Sequence, residues 1–206
     1  MSDTMSPGKR TSRDGRYLLW FLFSIPALIL IAGSFWYVFI QHDIKGFQRF
    51  PTLRWSGIVS CIFLILTMSA TPLALATKGG FRWLRVNRRY LGVASFAYAA
   101  LHLAYWLIWT NPHAFLRSFI RAEIITGWIA FFIMAALAWT STDAAVRRLG
   151  PKWKALQRWV YPAAILTFLH WLMTAESLQR HLETLILSAP LIALSVWRFG
   201  LRKRNS

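Results

Sequence analysis

Apolar residues in this chain come in long runs broken by short polar stretches, and six runs approach the roughly 20 residues needed to cross about 30 Å of hydrocarbon. They are Tyr17–Ile40, Trp55–Ala76, Tyr90–Trp109, Ile124–Trp139, Trp159–Thr174 and Leu182–Phe199. The pattern predicts an all-α fold, a polytopic bundle of six transmembrane helices. Short connections make neighbouring helices antiparallel. The first run is a full span rather than a short signal-peptide core, so it is expected to be a retained helix. Pro26, Pro162 and Pro190 fall inside runs and are expected to kink them. No internal sequence repeat or low-complexity tract is evident.

The polar stretches orient the bundle. The N-terminal tail, the 77–89 loop with Arg88 and Arg89, the 140–158 loop and the C-terminal tail are strongly basic. Loops 110–122 and 175–181 are much less so, and 41–54 is intermediate. This bias predicts both termini in the cytoplasm of a multi-pass membrane protein. The organisation expected is a basic tail over 1–16, a transmembrane domain over 17–199 and a second basic tail over 200–206.

Composition agrees. Of 206 residues 56% are hydrophobic and twelve are Trp, with a mean hydropathy of +0.42. The net charge of +17 would suit nucleic acid, but its cationic residues cluster between apolar runs, as positive-inside anchoring requires. Nucleic acid is therefore not an expected partner, and the lipid bilayer is. Trp20, Trp83, Trp139, Trp159 and Trp197 lie at span ends and are expected interfacial anchors. No strand-turn-helix context offers a dinucleotide site. Cys61 is the single cysteine, which excludes an intramolecular disulfide and a C-x-x-C-H haem attachment.

Five histidines remain to be placed. His42, His113 and His181 fall in or beside outer loops and are expected to be solvated. His102 and His170 lie inside apolar runs, where an imidazole is expensive unless bonded, ligated or facing a cavity. His102 is thirteen positions past Arg89, and His170 twelve past Arg158. On two helices running the same way, that puts them about 20 and 18 Å in from their basic anchors, at matched depth. Two facing imidazoles suit axial ligation of a haem iron. Zinc normally wants three or four ligands, and no other Cys, Asp or Glu is expected at this level. Gly92, Ser95 and Ala99 leave room beside His102 for a flat ring. A structural role remains the alternative, since histidine bonds between membrane helices average about 0.6 kcal/mol.

The segments ATPL (70–73), RRYLGVASFAYAALHLAYW (88–106) and TSTDAAVRRLGPKWKALQRWVYPAAILTFLHWLM (140–173) resemble the MsrQ (YedZ) family. That family comprises the haem-binding membrane subunits of the protein-methionine-sulfoxide reductase system, within the ferric-reductase-like transmembrane group. The resemblance covers about residues 55 to 175. It implies haem b, an association with FMN, and electrons arriving from quinol or a cytosolic flavin reductase. It further implies a periplasmic molybdenum-containing reductase as acceptor. Where the family pattern W-x-x-L-H-R-L-x-Y has a histidine, this chain reads WKALQRWVY, with Gln157 in its place. In two-haem relatives a second ligand pair lies about thirteen residues nearer the cytoplasm, and those positions here hold Arg89 and Gln157.

The expectation is therefore one haem b held by His102 and His170 in an electron-transfer subunit rather than a complete enzyme. Arg88 and Arg89 are candidate contacts for propionates or a flavin phosphate, and Gln157 for a quinone or flavin. The alternatives are another ferric-reductase-like electron carrier, or a small non-redox transporter or partner protein with structural histidines.

Overall fold

The computed structural model describes residues 13–36, 52–110, 117, 119–175, 177–179, 181–189 and 193. All its regular elements are helical. They are α1 (Arg13–Phe35), α2 (Thr52–Ala76), α3 (Arg82–Trp109), α4 (Ala122–Trp139), α5 (Asp143–Leu149), α6 (Pro151–Leu156) and α7 (Val160–Met173). A 3-10 turn over Gln157–Trp159 leads into α7, and residues 181–189 are helical.

Among the described residues, four helices are long and apolar enough to cross a membrane: Tyr17–Phe35, Thr52–Ala76, Arg82–Ile108 and Ala122–Trp139. They coincide with the first four expected spans. The fourteen residues of α7 reach about 21 Å, short of a full hydrocarbon crossing without the turn before it. Of the sixth expected span, residues 182–189 and 193 are helical, while 190–192 and 194–199 lie outside the described residues, as do residues 1–12 of the expected N-terminal tail 1–16 and the whole of the expected C-terminal tail 200–206.

The basic stretches are more ordered than loops. Nothing between Arg82 and Tyr90 breaks a helix, so α3 starts eight residues before the expected span and carries Arg82, Arg85, Arg88 and Arg89 itself. What connects α2 to α3 is the turn 77–81, where Gly79 takes φ +101°, a conformation glycine adopts at no steric cost. Between α4 and α7 the chain folds into two short helices. The Thr142 hydroxyl caps α5 by accepting from Ala145 N–H at 3.2 Å, and Gly150 with Pro151 separates α5 from α6.

Large apolar side chains face outward. Phe21, Ile29, Ile108, Phe132 and Ile165 are all more than half exposed, while Thr52, Ser56, Ser60, Thr67, Asn87 and Ser95 are buried. A water-soluble protein sorts these classes the other way. With lipid outside, helices associate through close packing of small residues and polar contacts.

The α2–α3 pair shows both means. Ser60 Oγ donates to Ser95 O and Ser95 Oγ to Ser60 O, each at 2.9 Å. Around this clamp Phe63, Ala70, Leu84, Leu91, Ala94 and Tyr98 form one buried cluster, with Phe23 and Ala27 of α1 packed on it. Leu64, Leu137 and Val160 form a second cluster that ties α2 to α4 and α7.

Candidate functional site

The helix pairs α2–α3 and α4–α7 enclose a cavity of about 550 Å³ at the end of the bundle away from the basic turns. This is within the size range of small-molecule sites, about 300–1,000 Å³. Both His102 and His170 line it, with Cys61, Trp106, Phe131, Met134 and Trp171 among its walls. The matched depth expected from counting along α3 and α7 is thus realised as a shared cavity.

The two imidazole ring centres are 6.3 Å apart, with their planes inclined at 82°. Two nitrogen–metal bonds of about 2 Å and about 1.1 Å from each nitrogen to its ring centre would place the centres about 6 Å apart. The spacing therefore suits one metal ion ligated by both rings. Among the described residues, no group of three or more His, Cys, Asp or Glu is arranged to hold a metal.

The hydrogen bonds select the nitrogen that would ligate. His102 Nδ1 lies 2.8 Å from Leu53 O and His170 Nδ1 lies 2.6 Å from Glu123 O. A carbonyl oxygen only accepts, so Nδ1 carries the proton of each neutral ring and Nε2 keeps the lone pair. Metal-ligating histidines are typically fixed in this way by an acceptor on the other nitrogen.

The rim carries charge. Arg54 forms an ion pair with Glu183, and its guanidinium lies 6.0 Å from the Trp55 ring centre. The wall residue Trp128 has a buried Nε1–H without a partner.

A second cavity, of about 770 Å³, opens toward the basic turns. Arg85, Arg88 and Arg89 of α3 line it together with Lys154, Gln157 and Arg158. Its other walls are mostly apolar, among them Leu64, Met68, Leu137, Val160 and Tyr161. Arg89 pairs with Asp143 at 2.6 Å, and Gln157 Nε2 donates to Leu137 O at 3.3 Å. Arg88, Arg89 and Gln157 are thus brought together, but in a different cavity from the histidines. His42 and His113 lie outside the described residues. His181 lines neither cavity and bonds Ser177 O at 2.8 Å.

Sequence reasoning did not reach the acceptors Leu53 O and Glu123 O, because a backbone carbonyl has no side-chain signature. In the sequence Arg54 is one of the cations that make the 41–54 stretch intermediate in charge, whereas the structure places it in the first turn of α2. Its place at the rim depends on how α2 meets residues 181–189.

The chain is similar to known proteins over nearly its whole length. Residues 56–168 match the ferric reductase like transmembrane component family. Among its relatives are several named protein-methionine-sulfoxide reductase heme-binding subunit MsrQ. The one from Azospira oryzae is 35% identical across 95% of this chain and 82% of its own length. That from Ralstonia nicotianae is 34% identical across 96% and 91%, and that from Brucella ovis 31% identical across 93% and 86%. No solved structure matches significantly.

Proposed function

Because the chain belongs to the ferric-reductase-like transmembrane family, and within it to the MsrQ haem-binding subunits, we propose that it is a b-type cytochrome of the bacterial inner membrane with His102 and His170 as the axial ligands of one haem. The single observation that carries this reading is the pair of rings 6.3 Å apart in one cavity. When bound, haem b supplies a one-electron carrier. The chain's residues do the rest.

His102 and His170 would offer Nε2 to the iron while Leu53 O and Glu123 O hold the opposite nitrogens. Trp106, Phe131 and Trp171 line the walls and would keep water from the site. Arg54, now paired with Glu183, and the unpartnered Trp128 Nε1–H line the same cavity and would be available to the carboxylates of a bound haem. Arg88 and Arg89, in the other cavity, are better suited to the donor side.

The basic cavity would receive that donor. Arg85, Arg88, Arg89, Lys154 and Arg158 suit an anion, while the apolar wall and Gln157 suit a flat ring with carbonyls, so quinol or the flavin of an FMN-bearing group are the two chemistries considered. With basic segments on the cytoplasmic side, electrons would enter there, pass to the histidine-held site and leave to a periplasmic molybdenum-containing methionine-sulfoxide reductase.

A reduced-minus-oxidised visible spectrum of the purified full-length chain, expressed with haem supply, tests this reading. A low-spin b-type spectrum with one haem per chain is expected. A protein without a Soret band would leave the histidines as structural residues of a non-redox membrane protein.

A further inference from the structure

The two histidines are seated by one local arrangement built twice. On α2, Leu53 O accepts from His102 Nδ1 at 2.8 Å and from Ser56 Oγ at 2.9 Å. Four residues past Leu53 is Gly57, where a Cβ would stand 3.0 Å from His102 Nδ1 and 3.2 Å from Cε1. On α4, Glu123 O accepts from His170 Nδ1 at 2.6 Å and from Thr126 Oγ1 at 2.8 Å. Four residues past Glu123 is Gly127, where a Cβ would stand 2.9 Å from His170 Nδ1 and 3.0 Å from Cε1. Each acceptor precedes its histidine by nearly the same stretch of chain, 49 residues in one case and 47 in the other.

The spacing has a physical reason. Residues i and i+4 share a helix face, so one carbonyl and one glycine meet the same ring. The carbonyl fixes Nδ1 but leaves the ring free to swing about the N–H···O line. The bare backbone at the glycine removes that freedom by lying flush against the ring, a seat that a methyl group would fill. Gly92, on the same α2–α3 interface, differs: against the expectation that it makes room beside His102, it lines the basic cavity and not the histidine cavity, and a Cβ there would meet Thr67 Cγ2 at 3.6 Å, an ordinary contact.

We propose that Ser56-Gly57 and Thr126-Gly127 are two copies of a histidine-positioning unit that sets the planes of the rings at positions 102 and 170, and thereby the electronic state of the metal group they hold. The inference rests on the ligand reading above. Its residues act through the histidines, so they are positioning residues.

The test compares Gly57→Ala, Gly127→Ala and Gly92→Ala in the full-length chain by haem content and by low-temperature EPR of the oxidised protein. Gly127→Ala is expected to weaken haem binding by about tenfold or more, the upper range for lost outer partners of metal-ligating histidines being about a hundredfold, or to keep haem with a shifted gmax. Gly57→Ala should act in the same direction and more weakly, and Gly92→Ala should match the wild type. Haem content and gmax unchanged in Gly127→Ala would overturn the inference. A second comparison separates positioning from general packing. In a His170→Gly background, added imidazole is an untethered ligand that can shift away from a methyl, so Gly127→Ala should no longer alter the spectrum that imidazole restores. An equal loss in both backgrounds would make Gly127 a packing residue and overturn the inference. A wild-type chain without haem would overturn the ligand reading and this inference together, whereas a haem-loaded wild type with indifferent glycines overturns the inference alone.

Discussion

The Tyr98 hydroxyl occupies the backbone gap that Pro26 opens in α1: it accepts from Ala27 N–H at 2.9 Å and donates to Phe23 O at 2.6 Å. Proline within a helix removes one donor and pushes the preceding turn apart. In lipid no water can satisfy the groups set free. A side chain of α3, 71 residues along the chain from Ala27, does so instead, and pins α1 to the rest of the bundle.

Tyr98→Phe should therefore strand one donor and one acceptor, each costing about 1–3 kcal/mol when buried and unpaired. A lower unfolding temperature in detergent checks this, with haem content unchanged because Tyr98 does not line the histidine cavity. Adding Pro26→Ala lets α1 close its own hydrogen bond, so the loss from Tyr98→Phe should shrink in that background. Independent, additive losses would contradict the bridging role.

His102→Ala and His170→Ala should each lose most low-spin haem, since an axial bond disappears and a cavity is left. The same change at His42, His113 or His181 should leave the spectrum intact. Equal losses from the two groups would refute the pairing of His102 with His170.

The 82° between the two imidazole planes has a spectroscopic consequence. Perpendicular axial imidazoles leave the iron d orbitals nearly degenerate, so oxidised protein should give a highly anisotropic low-spin EPR signal with a single large gmax. The rhombic three-line spectrum of parallel imidazoles would mean that the rings turn when the site is loaded.

Gln157 donates to Leu137 O and lines the basic cavity rather than the histidine cavity. Gln157→Ala should keep the wild-type haem-to-protein ratio while slowing reduction by the donor. A clear fall in haem content would reveal a second haem near this position. Arg88→Gln combined with Arg158→Gln should likewise spare haem and raise the donor concentration needed for half-maximal reduction.

Much of this was legible along the chain. Four long helices follow from uninterrupted apolar runs, because in lipid the helix is the one local structure that satisfies its own backbone. The pairing of His102 with His170 also follows, since a fixed rise per residue converts thirteen and twelve positions past the Arg89 and Arg158 anchors into nearly equal depths. The start of α3 was less legible, because hydropathy ends at Tyr90 while nothing in Arg82–Arg89 stops the helix.

What the sequence by itself determined, then, was which segments are helical and which polar residues lie at which depth, properties that repeat with the local geometry of a single helix. Tertiary structure alone decided which neighbour each residue meets. It set the 82° between the rings, gave Leu53 and Glu123 to the histidines, and put Gly57 and Gly127 against them. It also sent Arg88 and Arg89 to the cavity with Gln157 rather than to the histidines. These outcomes depend on the rotation and separation of whole helices, which are settled by packing between residues far apart in the chain, and a backbone carbonyl or an absent Cβ leaves no pattern of its own in a string of residue names.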